Sequence, residues 1–254
     1  MPKILRHLGL VTVGLLVLLA VWPLFQAGLP NVADAPIHLF RTAEWVRSWR
    51  AGILLPRWAP NLAYGYGYPL FLFAPPLFYT LAGALHILGL SLTASVKIVV
   101  IGCLAVAGGG MYALLKRRHG PVAAVVAAAA YLLAPFFLRE TYLYGGNYPQ
   151  LIAIALFPAI LWAFERWMEH SHPFDLLLAG GLYGALLLSH NFQALIFTPL
   201  LAVYVLVVAQ SAAPEGPWRR LARAGLAFVL GLGLTAFFWL PALVERQWTR
   251  AQEQ

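Results

Sequence analysis

Proton transfer, phosphate recognition and metal binding all need carboxylates, imidazoles or guanidinium groups. In this 254-residue sequence they are scarce: nine Asp or Glu, seven His and seventeen Lys or Arg. Those able to do chemistry fall into four short clusters: Asp34, His38, Arg41 and Glu44; Arg139, Glu140 and Asn147; His190 with Asn191; and Glu245. Carboxylates and imidazoles exchange protons near neutrality, and a planar guanidinium matches phosphate oxygens two at a time. Arg57-Trp58-Ala59-Pro60-Asn61 leads into Tyr64-Gly65-Tyr66-Gly67-Tyr68-Pro69, and Tyr144-Gly145-Gly146-Asn147-Tyr148-Pro149 repeats that chemistry later. Glycines between tyrosines suit a cleft for a sugar or a lipid-linked phosphate. The same rings also suit a plain aromatic belt at a membrane surface, and composition leaves both readings open. His170 and His172 beside Glu169 form a His-x-His, read as a solvated loop rather than a metal site.

The elements that carry these clusters belong in lipid. Hydrophobic residues make up 61% of the chain and charged ones 10%, against roughly 45–50% and about 25% in soluble domains. A fold this small leaves too much surface exposed to hide so much apolar area from water. The net charge of +8 would suggest nucleic acid in a soluble protein. Here basic loops against an anionic membrane face account for it, and no nucleic-acid partner is expected. Cys103 is the single cysteine, so neither a disulfide framework nor a thiolate cluster is available.

Apolar runs near the 20 residues that cross a bilayer occur at 8–26, 98–115, 121–138, 150–164, 175–188, 192–210 and 224–243, with a further one at 69–90. Crossing at all eight would put Lys116-Arg117-Arg118 and Arg219, Arg220 and Arg223 outside, against the positive-inside rule. Pro69, Pro75 and Pro76 break the hydrogen-bond ladder at the start of 69–90, and such backbone is tolerated at membrane depth only where it is sheltered. The expectation is an all-α polytopic transmembrane bundle, a single module over 1–254. It has about seven spans, plus a re-entrant or juxtamembrane helix within a long first external loop, 27–97. Nine basic residues (Lys3, Arg6, 116–118, Arg166, 219–220 and Arg223) then mark the inner side, placing the N-terminus inside a plasma membrane and the chemical clusters outside.

Asp34-Ala35-Pro36-Ile37-His38 reads as a helix start, with Asp34 as N-cap and Pro36 in the first turn. At about 100° per residue, Asp34, His38, Arg41 and Trp45 share a stripe and Leu39, Ala43 and Val46 an apolar face, as in an interfacial helix. Gly108-Gly109-Gly110, Gly180 with Gly184, and Ala127 to Ala130 read as places where helices approach closely. Span centres carry almost no ionisable groups, which disfavours ion-coupled transport.

With the residues laid out this way, the chain resembles the N-terminal membrane module of the C-type (GT-C) glycosyltransferase superfamily. More narrowly, it resembles the 6-pyruvoyl-tetrahydropterin synthase-related membrane proteins. The resemblance rests on Asp34 to His38, Arg57-Trp58-Ala59-Pro60-Asn61, Gly65-Tyr66-Gly67-Tyr68-Pro69, Pro75-Pro76-Leu77 with Tyr79, Ser189-His190, and Trp239-Leu240-Pro241-Ala242-Leu243 with Glu245. It implies inverting transfer of a sugar from a polyprenyl-phosphate donor on the external face, within a cell envelope. Asp34 would be base or divalent-metal ligand, with His38 beside it if a metal is used, and His190 and Glu245 would complete the catalytic set. Arg57 or Arg139 would hold the donor phosphate, and Tyr66, Tyr68, Glu140 and Asn147 would contact substrate. Where many members carry paired acids in the first loop, Asp34 is followed here by Ala35. Relatives continue beyond Glu245 into more spans, so a partner subunit or further C-terminal region is expected to complete the protein. A different class, a non-catalytic scaffold or lipid- or glycan-binding subunit, is separated from the enzyme by convergence: an enzyme brings Asp34, His38, Asn147, His190 and Glu245 around one cavity.

Overall fold

The computed structural model describes residues 3–211 and 215–248, with side chains from His7 onward. Lys3 and Arg6 as charge markers, and the tail 249–254, lie outside those described residues and side chains. The described chain is helical: α1 (Lys3–Val21), α2 (Ala35–Arg50), α3 (Leu70–Phe73), α4 (Leu77–Ile87), α5 (Leu92–Leu132), α6 (Pro135–Leu138), α7 (Tyr148–His170), α8 (Pro173–Leu187), α9 (Asn191–Ala209), α10 (Pro217–Leu234) and α11 (Ala236–Glu245). Four of these, α1, α5, α7 and α9, are long and apolar enough to cross a membrane. The α10–α11 pair makes a fifth if its 67° bend is counted within one span. The seven crossings expected are therefore not all met by helix length: α8 has 15 residues, and the run 121–138 is interrupted at Leu133–Ala134.

The longest element, α5, is two arms rather than one rod. Gly120 lies at φ 83°, ψ 169° before Pro121, a backbone setting that glycine accepts without steric cost. Residues 121–132 fold back on the first arm, so that a Cβ on Gly108 would stand 2.8 Å from the Leu132 side chain. Gly110 in turn lies so close to α7 that its Cβ would be 2.9 Å from the Ala159 nitrogen. Small residues permit these approaches, on which packing in lipid depends.

Two ends are distinct. Arg117 pairs with Glu169 at 2.6 Å, Arg118 with Glu165 at 2.9 Å and Arg166 with the buried Asp175 at 2.7 Å. Arg223 donates to the Met168 carbonyl at 2.8 Å, and Arg220 to the Ala209 and Ser211 carbonyls at the C-terminus of α9. The opposite end of α7 starts at Asn147, and its 23 residues separate the two ends by about 35 Å. α1 runs between them, from Gly9 beside Tyr112 to Ala20, whose carbonyl accepts from the Tyr142 hydroxyl.

Residues 69–90 do not make a span. α3 ends in the extended Ala74, Pro75 and Pro76 follow, and α4 is 11 residues long, about 16 Å against a hydrocarbon core of about 30 Å. The expected interfacial helix is buried on more than its apolar face. In α2, Val46 of that face is buried, but so are His38 and Trp45 of the polar stripe, and Glu44 beside it, while Ile37 and Phe40 are exposed. Trp45, Val46 and Trp49 sit against Gly83 of α4, and aromatic contact between α2 and α4 outweighs the cost of covering the polar positions.

Candidate functional site

Three interruptions of helix meet at one end of the bundle. The Leu77 N–H donates to the Leu188 carbonyl at 2.9 Å, and the Asn191 amide donates to the Phe73 carbonyl at 2.9 Å. Phe73 and Asn191 also share an apolar groove with Leu232 and Phe238 at the α10–α11 bend. Unwound backbone at membrane depth is stable only inside protein or around a cavity, and cavities surround these breaks.

One is polar, about 290 Å³, lined by Asp34, His38, Arg41, Tyr79, Asn147 and His190 with Ala74 and Pro75. Asp34 reaches it through backbone bonds between two distant loops: Ala33 N–H to the Tyr144 carbonyl and Asp34 N–H to the Gly145 carbonyl, both 2.9 Å. The glycines there are required by closeness, since a Cβ on Gly145 would collide with the Glu140 carboxylate and one on Gly146 with Val32. Asp34 stands at the N-cap of α2 yet its side chain makes no capping bond. The carboxylate is thus on the cavity wall without the structural duty that its position suggested.

Four aromatic and imidazole rings fix the second group. His38 is packed among Phe78, Tyr79 and Tyr148, with ring centroids 5.8–6.0 Å away, and its Nδ1 lies 3.1 Å from the Tyr79 hydroxyl. Arg41 lines the same cavity wall as Tyr79, and its Nε is buried with no hydrogen-bond partner among the described residues. The His38 ring is thus enclosed between the Tyr79 hydroxyl and the positive charge of Arg41. Burial, then the charges of Arg41 and His190, hold His38 down to a pKa of about 3. His190 caps α9, its Nδ1 accepting from the Gln193 N–H at 3.3 Å, and burial lowers its pKa as well.

Of the five residues expected to converge, Asp34, His38, Asn147 and His190 line this cavity; Glu245 does not. It pairs with Arg57 at 2.6 Å next to a separate pocket of about 90 Å³ lined by Arg57, Phe71 and Pro241. Arg139 pairs with the buried Glu140 at 2.9 Å beneath the Gly145 turn, so neither arginine expected to meet phosphate lies on the polar cavity. Tyr66 is exposed, Tyr68 is not among the residues lining the cavity, and the Asn147 carboxamide oxygen is engaged by the Gln150 N–H at 3.2 Å. Arg41 and Tyr79 are the cavity residues whose importance the sequence understated. The spacing Asp34, His38, Arg41 was the available signal for the arginine; for the tyrosine, 41 residues from His38, the signal was its place beside Pro75-Pro76-Leu77 in the family resemblance, which gave it no role.

A divalent ion on Asp34 and His38 does not fit these residues. His38 Nδ1 is taken by Tyr79, Arg41 brings positive charge into the same space, and among the described residues no three His, Cys, Asp or Glu are grouped to hold a metal. The third cavity, about 710 Å³, is an apolar groove along α9, α10 and α11 that includes Leu195, Pro199, Trp239 and Leu243. Phe73 and Asn191 line it, and their chain neighbours Ala74 and His190 line the polar one.

The fold and these cavities define an integral membrane helical bundle with a polar chamber at one end. Its family is given by the profile that matches residues 71–254: the chain belongs to the 6-pyruvoyl-tetrahydropterin synthase related domain family of membrane proteins. The match begins after Asp34, His38, Arg57, Tyr66 and Tyr68 and includes Asn147 and His190. Comparison with curated proteins and with solved structures finds no match.

Proposed function

We propose that the chain is a C-type membrane glycosyltransferase module that moves a sugar from a polyprenyl-phosphate donor to a hydroxyl acceptor. The carrying observation is a polar cavity holding a carboxylate and a guanidinium and an apolar groove of about 710 Å³, lined at two places by neighbouring residues of the chain, Ala74 and Phe73, His190 and Asn191. In this reading Asp34 takes the acceptor proton, the acceptor oxygen bonds to the sugar anomeric carbon, and the carbon–phosphate oxygen bond breaks with inversion. Arg41 receives the phosphate charge, with the His38 and His190 rings on the same cavity wall. No step uses a metal.

The path of the chain supports seven crossings, with 92–119 and 121–143 as two of them and α10–α11 as the last. We place the basic end in the cytoplasm by the charge rule, the N-terminus with it, and the polar cavity on the outer side of the plasma membrane.

The test is transfer from a polyprenyl-phosphate sugar in reconstituted membranes. Asp34→Asn should lower turnover about 10²- to 10⁴-fold, the usual worth of a general base, without changing donor binding. Equal turnover in the two proteins removes Asp34 from the chemistry, and donor binding without any turnover in the wild type favours the lipid-binding subunit.

A further inference from the structure

We propose that residues 53–68 form a foot that inserts at headgroup level into an anionic bilayer, on the side of the polar cavity. The segment is a hairpin, closed by the Ala59–Tyr68 bridge, with the Gly65 and Gly67 N–H groups on the Leu62 carbonyl at 3.2 and 3.0 Å. Its tip presents apolar surface that none of the described residues covers, Tyr64 being 103% exposed and Tyr66 87%, and Leu54 on the approach to the hairpin is 76% exposed. Such rings and aliphatic groups are at ease where one side is apolar and the other wet.

The presentation is held rather than loose. Ala63 and Tyr64 both take positive φ, 52° and 58°, a setting that non-glycine residues keep only when their surroundings impose it. The surroundings do. The buried carboxylate of Glu44 accepts from the Asn61 backbone and amide at 3.1 Å, and Trp58 lies over Gly67, where a Cβ would collide with its ring nitrogen. Two further observations name the occupant. From residue 45 to residue 139 the sequence contains no acid; of the arginines that flank the apolar tip, Arg47 pairs with Glu44 and Arg57 with Glu245, and the exposed Arg50 supplies the charge complementary to anionic lipid. Arg57 also ties the hairpin to Glu245 of α11, a helix bent 67° from α10 whose Leu240, Leu243 and Val244 are exposed. The foot therefore continues an apolar surface already committed to lipid. The two carboxylates that touch the segment, Glu44 and Glu245, are both engaged by its own residues Asn61 and Arg57.

The proposal stands apart from the transferase reading. It is tested with the full chain, Cys103→Ala, in nanodiscs of phosphatidylcholine with or without phosphatidylglycerol. An environment-sensitive fluorophore is placed at Tyr64→Cys, at Leu54→Cys, and at the exposed Asn31→Cys for comparison. Labels at 64 and 54 should be quenched by shallow nitroxide lipids and shielded from iodide, while the label at 31 is not. Phosphatidylglycerol should deepen the effect, and Arg50→Gln should weaken that increment about fivefold, the usual share of one basic residue. Labels at 64 and 54 that iodide reaches as readily as the label at 31, with no lipid quenching, would overturn it and leave the tip for a soluble glycan.

Discussion

His38 carries a measurable signature of the cavity. In the unfolded chain an imidazole gains its proton near 6.5, whereas in the fold burial, Arg41 and His190 delay this to about 3. Between those values the unfolded state binds more protons, so the stability is whole above about pH 6.5 and falls as the pH drops toward 3, by at most about 1.4 kcal/mol per pH unit. Thermal midpoints in detergent from pH 7.5 to 4.5 should show that slope, flattened in His38→Gln; an unchanged slope would contradict the buried neutral imidazole. His190 acts in the same direction, so some slope survives. At this scale the stripe of Asp34, His38 and Arg41 was readable from helical spacing alone. What escaped was partnership across the chain: Arg57 meets Glu245 188 residues away, and no local pattern announces such a pair.

Among elements, the hairpin shows how a sequence motif becomes rigid only through tertiary anchoring. Glu44 looks like one more polar position on α2, yet it is buried and holds Asn61. Glu44→Ala should leave the Asn61 amide and N–H without acceptors and cost about 1–3 kcal/mol, read as a lowered thermal midpoint with faster proteolysis within 61–67. A midpoint equal to wild type would mean that the Trp58–Gly67 stacking suffices. The tyrosine and glycine repeat was legible as a turn-rich platform, and Gly120-Pro121 as the junction of two apolar runs. The burial of His38 and Trp45 in α2 was not, because hydropathy along one helix does not reveal which face its neighbours choose. Likewise the prolines marked 69–90 as broken, but its partners at 188–191 lie more than a hundred residues on and became visible only in three dimensions.

For the whole molecule, the charge pattern was the most readable property. Lys116 to Arg118, Arg166 and Arg219 to Arg223 were grouped by the topology rule alone, and Arg117, Arg118, Arg166 and Arg223 do meet at one end, paired with Glu169, Glu165, Asp175 and Glu215. Cysteines at the exposed positions His119 and Tyr144, in a Cys103→Ala background, should label from opposite sides of a sealed membrane, position 144 from outside. Labelling of both from one side would overturn the proposed crossings. Helix length was less readable, since hydropathy sees apolar content and not the breaks at Leu133, Ser189 and Thr235 that shorten helices while keeping the path.

The two bonds that bring Asp34 to its cavity, from Ala33 to Tyr144 and from Asp34 to Gly145, are made entirely by main-chain atoms. Side chains at 33 and 144 can therefore drift among relatives with little effect on where the carboxylate points. Chain length cannot. A single residue inserted between Glu140 and Asn147 would slide the supporting carbonyls by about 3.8 Å, one Cα step, and carry the acid out of register with the histidines. In this fold the second loop is held to its spacing and to its two glycines, Gly145 and Gly146, more than to the side chain at 144.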